Sequence, residues 1–532
     1  MICIKYRRRR GGIIQPETTS CSIMAELPPA PSTPPAGGVA TTTAPAKRPA
    51  TGTLVRWAVC LAPLLLALLP APEGLPQHAW YFFALFLAVI VGLIVEPVPS
   101  AAVGLVGVAA AATLARYVLY SPAQLAAPHF NVTTAAIGWA LSGFSNTTVW
   151  LIFAAFIFAL GYEKTGLGRR IALMLVAALG GSTLRLGYAV VMADLVLAPF
   201  TPSNTARSGG TIYPVIKNLP ELYDSRPNDP SSRRIGGYLM WTALATTCVT
   251  SSMFLTALAP NPLAAELVRT TVHIDITWTR WFLSFLPCGL ILLIATPWLA
   301  YKLYPPSVTS SPEVQTWARA ELRKQGPLQR REVILIVLVL LALTLWVAGG
   351  SLMDATTAAV VVVALLIVTG TITWGDVLGD KPAWNTLVWF GTLVTLAGGL
   401  SQTGVVKWIA SMEGVLLAGL PVVWALVAIV VAFVLLHYLF ASVTAHTIAL
   451  LPVMLTLGAG VAGMPMEVLA PALCLTIGIM GIMTPYGTGP SPVYANSGFL
   501  PGRDMWWLGA IFVLLYLLVF LGVGLPTIYA LS

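Results

Sequence analysis

The chain is 532 residues long, 57% hydrophobic and only 9% charged, with a mean hydropathy of +0.83. Soluble domains carry about 25% charged residues, so this composition excludes a soluble enzyme or a soluble binding module and describes a polytopic, all-α membrane protein. Most of the +9 net charge lies at one end, because residues 1–56 hold eight Lys/Arg against two Asp/Glu.

The N-terminal arm, residues 1–53, is basic at first and then rich in Pro, Ala and Thr over 25–53, with too few apolar side chains to pack. It is expected to be a disordered cytoplasmic tail that biases orientation, with no nucleic-acid partner. Met24 is an alternative start. The six cysteines, Cys3, Cys21, Cys60, Cys248, Cys288 and Cys474, show no paired or metal-like spacing, so neither a disulfide nor a metal or cofactor is expected.

A lipid-spanning helix needs about 20 apolar residues, and about eleven candidates begin near Leu54, Ala79, Ala101, Ile171, Gly237, Trp281, Glu332, Met353, Leu416, Glu467 and Met505. Two other apolar stretches, 140–166 and 384–404, each carry an Asn-Thr pair near the start, scattered glycines and a terminal Thr-Gly. They are expected to be re-entrant hairpins. The chain thus divides into a first half, 54–300, a polar connection, 301–331, and a second half, 332–532. The connection contains PEVQTWARAELRKQ, which suits a helix along the membrane surface. Its basic residues, together with Lys164, Arg169, Arg170 and Arg503, are assigned to the cytoplasm with the N-terminus, which leaves the C-terminus outside.

The most irregular stretch is 194–214, DLVLAPFTPSNTARSGGTIYP. Pro199, Pro202, Gly209 and Gly210 break a helix that ought to span. Irregular backbone at membrane depth persists only where protein buries it or where it lines a cavity. The stretch has a counterpart. NTTVW at 146–150 recurs as NTLVW at 385–389, and both copies lie 57 residues before a serine, Ser203 and Ser442. Ser203-Asn204-Thr205-Ala206-Arg207 therefore aligns with Ser442-Val443-Thr444-Ala445-His446, and LAPNPLA at 258–264 answers TPYGTGPSPV at 484–493. Paired interrupted segments in two halves point to a transport site at the interface of an inverted repeat.

Such a site offers hydroxyls, amides and helix N-termini, which favour anions. Arg207 adds a permanent charge, and an unpaired arginine at this depth costs at least ~2.5–3.5 kcal/mol, so its partner is either Asp194 or the substrate. His446 is either a neutral histidine bonded to a backbone carbonyl or a pH-tunable contact to the anion. Ser442 and His446 are four residues apart, as a nucleophile and base would be, but the aligned copy has arginine where a base is needed. No catalytic residue is expected, and, the disordered arm aside, no soluble segment reaches the ~50 residues of an output domain.

ADLVLAPFTPSNTARSGGTIYP, HYLFASVTAH and MTPYGTGPSPVYANSGF closely resemble the divalent anion:sodium symporter family, in particular its branch of bacterial citrate/succinate and tartrate/succinate antiporters and plastid 2-oxoglutarate/malate translocators. The likeness runs from about residue 55 to the end. It implies a homodimer with scaffold and elevator-type transport domains, in a bacterial inner membrane. It also implies a dicarboxylate site at Ser203, Asn204 and Thr205 in one half and Ser442, Val443 and Thr444 in the other, completed by Thr488 and the backbone at Pro485 and Gly487. The departure is Val443, where the symporters have asparagine beside a bound cation. Arg207 and His446 then stand where fixed charge can replace sodium. An unpaired Arg207 could not cross the barrier without an anion, which favours sodium-independent exchange of di- or tricarboxylates over sodium- or proton-coupled symport.

Overall fold

The computed structural model describes residues 50–348, 353–405, 408 and 420–532, and among these every regular element is a helix. The expected arm over 1–53 lies almost wholly outside the described residues, as does the candidate span start at Leu416. Every other candidate start falls within a helix or, for Met353, two residues before one. Six helices among the described residues are long and apolar enough to cross a membrane: Gln77–Val95, Thr147–Thr165, Thr183–Phe200, Trp278–Leu303, Val422–Leu439 and Gly502–Leu531. Length and composition alone therefore do not recover the expected count of eleven.

The expectation of re-entrant hairpins over 140–166 and 384–404 is not met. Thr147–Thr165 is one unbroken helix, and so is Lys381–Thr403, about 34 Å long at 1.5 Å per residue. The features that suggested a break have other uses. Asn146 caps its helix by accepting from Thr148 N at 2.9 Å, while its amide donates to Glu266 Oε1, also at 2.9 Å. Several of the glycines are points of close approach, as in many membrane helix pairs. A Cβ on Gly143 would sit 1.9 Å from the Gly391 carbonyl, and one on Gly399 would sit 2.3 Å from the Phe82 ring.

Helix–turn–helix pairs occur instead at the two Ser-led motifs. The first runs through Thr183–Leu197, turns at Pro199 and Pro202, and returns as Thr205–Ile212 and Tyr213–Ile216. Its returning arm is wound as a wide π-type turn, a form that concentrates at functional sites. The second runs through Val422–Leu436, turns at 437–442, and returns as Val443–Ala459. In each pair the two arms pack on one another.

Two further helices are interrupted where proline and glycine cluster. Gly236–Met253, buried along its whole length, stops at an extended Phe254 and restarts as Pro260–Val272. The last carbonyls of a helix need donors, and the Asn261 amide supplies them, reaching Ser251 O at 2.7 Å and Phe254 O at 3.1 Å. Met466–Ile479 gives way after Ile482 to an irregular loop, 483–490, and restarts as Ser491–Ala495. The two interrupted helices cross closely. Ser252 Oγ accepts from Ile479 N at 3.1 Å, and a Cβ on Gly478 would lie 2.5 Å from Ser252 N.

The polar connection carries the helix Pro312–Gln325, whose buried Val314 and Ala318 face Leu167–Leu179. Charges fasten this end. Arg169 meets Glu321 at 3.0 Å and Lys164 meets Asp376 at 2.9 Å. Arg170 grips Glu332 with Nε at 2.7 Å and Nη2 at 3.2 Å, and donates to Gly326 O.

Candidate substrate site

The two hairpins present their motifs in the same way. Ser203 Oγ accepts from Ala206 N at 3.2 Å, and its carbonyl accepts from Arg207 N at 2.9 Å. Ser442 Oγ accepts from Ala445 N at 3.3 Å, and its carbonyl accepts from His446 N at 3.0 Å. Ser442 is the N-cap of its helix and Ser203 makes the same pair of bonds, a role that serine fills well, and among the described residues each hydroxyl proton is free to donate. Ser203 is half-buried and Ser442 exposed, so both hydroxyls are reachable.

Among the described residues no hydrogen bond joins the first motif directly to the second. The loop 483–490 connects them. Asn204 Nδ2 donates to Thr488 Oγ1 at 2.7 Å, with both side chains almost fully buried. Thr205 lies so close to Gly489 that a Cβ there would fall 1.9 Å from its hydroxyl. On the other side, His437 Nε2 bonds the Gly487 carbonyl at 2.8 Å, and Tyr486 Oη donates to Tyr438 O at 3.3 Å. Pro485 is half-buried in this loop, and Thr444 is half-buried in the second motif. Val443 is buried, and its side chain brings no oxygen to the site.

Arg207 points into the protein and takes Asp194, one of the two partners expected for it. Its side chain has no exposed surface and pairs with Asp194, Nε to Oδ2 at 3.2 Å. Nη1 donates to Thr201 O at 2.9 Å and Ala257 O at 2.8 Å, while Nη2 faces the hydroxyls of Thr247, Thr250 and Ser251. Thr250 also donates to Asp194 Oδ2. A guanidinium has five N–H donors, and protein acceptors occupy all of them. Of the two partners open to it, the arginine has taken Asp194, so its charge is neutralised in place. The physical reason is desolvation: a buried arginine persists only when paired and hydrogen-bonded.

Of the two expectations for His446, the bond to a backbone carbonyl is not met, and both ring nitrogens lack a partner among the described residues. Phe433, Phe440 and His437 enclose it, with ring centroids 4.4, 5.1 and 5.1 Å away. The histidine that does hold a carbonyl is His437. It opens the HYLFASVTAH stretch, but nothing in that string tells that its ring reaches Gly487.

Two cavities flank the helix Thr147–Thr165 near its opposite ends. One, of about 560 Å³, is lined by Ser203, Thr205 and Gly209 and, across from them, by Tyr162, Glu163 and Asp380. The other, of about 540 Å³, is lined by Thr147, Thr148, Glu266, Arg269, Trp278 and Trp346. A run of stacked rings lies between them. Tyr162 stacks on Phe200 at 6.2 Å, Phe200 on Trp346 at 6.3 Å, and Trp346 on Trp278 at 6.2 Å. The first motif is therefore open toward the end of the helix that carries Lys164 and closed toward the other.

Residues 51–531 match the family model described as the sodium:sulfate symporter transmembrane region. The citrate/succinate antiporter of Escherichia coli (strain K12) is 50% identical over 470 residues, covering 88% of this chain and 96% of its own length. The L-tartrate/succinate antiporter of the same strain is 49% identical over 473 residues, covering 88% and 97%. Among solved structures, the YdaH transporter of Alcanivorax borkumensis superposes with a TM-score of 0.50 at 14% identity, covering 85% of this chain and 98% of its own. That likeness concerns fold alone.

Proposed function

The chain belongs to the sodium:sulfate symporter family, the divalent anion:sodium symporters, and on that footing we propose that it is a secondary transporter that exchanges di- or tricarboxylates across a bacterial inner membrane. The observation that carries this reading is identity of about half the residues with two carboxylate/succinate antiporters over nearly their whole lengths. Succinate is the acid common to both names, and citrate and tartrate belong to the same chemical class.

In this reading the substrate carboxylates are held by Ser203, Asn204 and Thr205 on one side. Ser442, Thr444, Thr488 and the backbone around Val443, Pro485 and Gly487 hold them on the other. Helix N-termini at both motifs supply N–H groups and the positive end of the helix dipole. The free serine hydroxyl protons and the cavity beside Ser203 and Thr205 support this assignment. Arg207 enters as the anchor of the first hairpin tip, because Asp194 already balances it. His446, walled in by Phe433, Phe440 and His437 with both ring nitrogens buried, packs the tip of the second hairpin.

Transport is independent of sodium in this reading, because Val443 brings no side-chain oxygen for a cation to the second motif. The protein works as a homodimer whose hairpins and interrupted helices move as one body past a scaffold. With Lys164, Arg169 and Arg170 in the cytoplasm, the N-terminus is cytoplasmic, the C-terminus is outside, and the present conformation faces inward. Sodium-coupled symport is the second reading, favoured by membership of a family of sodium symporters. Labelled succinate uptake into proteoliposomes, loaded with unlabelled succinate or left empty, with and without sodium, separates the two. Exchange requires an internal acid and ignores sodium, whereas symport fills empty vesicles when sodium is supplied.

A further inference from the structure

We propose that His437 is a positioning residue for the substrate: through the Gly487 carbonyl it seats the loop that brings Thr488 to Asn204, and so couples the two half-sites. The inference rests on the carboxylate-site reading above. His437 is fully buried at the tip of the second hairpin, directly after Val422–Leu436. Its Nε2 lies 2.8 Å from Gly487 O. A carbonyl oxygen can only accept, so Nε2 carries the proton, and in the neutral ring Nδ1 is bare. Nδ1 has no partner among the described residues.

A buried bare nitrogen is a loss to stability, and an apolar ring would avoid it. What the histidine adds is the bond made by its other nitrogen. The loop it holds has little freedom. A Cβ on Gly487 would lie 2.7 Å from Gly481 O and 3.0 Å from Thr484 Oγ1, so this glycine is pressed onto the end of the second interrupted helix. The next residue, Thr488, accepts the Asn204 amide at 2.7 Å. The path from one hairpin tip to the other therefore runs through His437, Gly487, Thr488 and Asn204.

The test compares wild type with His437→Gln, whose amide can donate to the same carbonyl, and His437→Phe, which fills the space without a donor. Succinate exchange is measured in succinate-loaded proteoliposomes. The Phe variant is expected to raise the half-saturating succinate concentration about tenfold and change the maximal rate less than about threefold, with the Gln variant within about threefold of wild type. Adding His437→Phe to Thr488→Val should cost less than about threefold more, because both lie on one path. A Phe variant equal to wild type, a Gln variant as impaired as Phe, or effects that multiply would overturn the proposal. Should the Phe protein fail to reconstitute, His437→Asn, too short to make the bond, is read in its place. Hydrogen exchange of the 483–490 backbone, faster in Phe than in Gln or wild type, reads the seating without transport. It still decides the matter if wild type proves not to exchange succinate, a result that would count against the function and not the positioning role.

Discussion

Arg207 Nε lies 3.2 Å from Asp194 Oδ2, with neither side chain more than 1% exposed. Removing one member of such a pair leaves the other charge buried and alone, which costs about 3–5 kcal/mol. Arg207→Gln and Asp194→Asn should therefore each sharply lower the thermal stability of the purified protein, and the double substitution should lose less than the sum. Additive losses would mean that the two charges are balanced separately.

Gly489 and Thr205 define how closely the loop and the first motif approach. A methyl group at Gly489 would sit 1.9 Å from the Thr205 hydroxyl, so Gly489→Ala must separate them. Succinate exchange is expected to fall at least about tenfold. Gly398→Ala provides the contrast, since nothing lies within 4 Å of a Cβ there, and it should leave exchange unchanged while stabilising its helix by about 0.5–1 kcal/mol. Equal behaviour of the two variants in the vesicle assay would contradict the close-packed site.

Trp346 stacks between Phe200 and Trp278, and its ring lines the cavity opposite the one that holds Ser203. Truncating it should open a path between the two cavities. Trp346→Ala vesicles are expected to lose preloaded labelled succinate without external acid, and Trp346→Phe vesicles to retain it. Tight vesicles from the Ala variant would remove the stack from the barrier.

Much of the site was legible because broken helices leave marks that intact ones do not. Pro199, Pro202 and Gly209 announced the first interruption, and the equal spacing from Asn146 to Ser203 and from Asn385 to Ser442 led to the second. The structure gives the two serines the same pair of bonds. The hairpins were misplaced because asparagine and glycine carry two meanings. Asn146 starts a helix, and Gly143, Gly391 and Gly399 let helices touch, which composition alone does not distinguish from a turn. The partner of Arg207 was one of two, and only three-dimensional proximity to Asp194 chose between them. The bond from His437 to Gly487 spans 50 positions, which no local pattern discloses.

The most direct test of carboxylate exchange is labelled succinate entry into proteoliposomes in four arms: empty or loaded with unlabelled succinate, each with and without a sodium gradient. Entry is expected only into loaded vesicles, at the same rate with or without sodium. Sodium-driven accumulation in empty vesicles would contradict exchange and assign the chain to the coupled symporters.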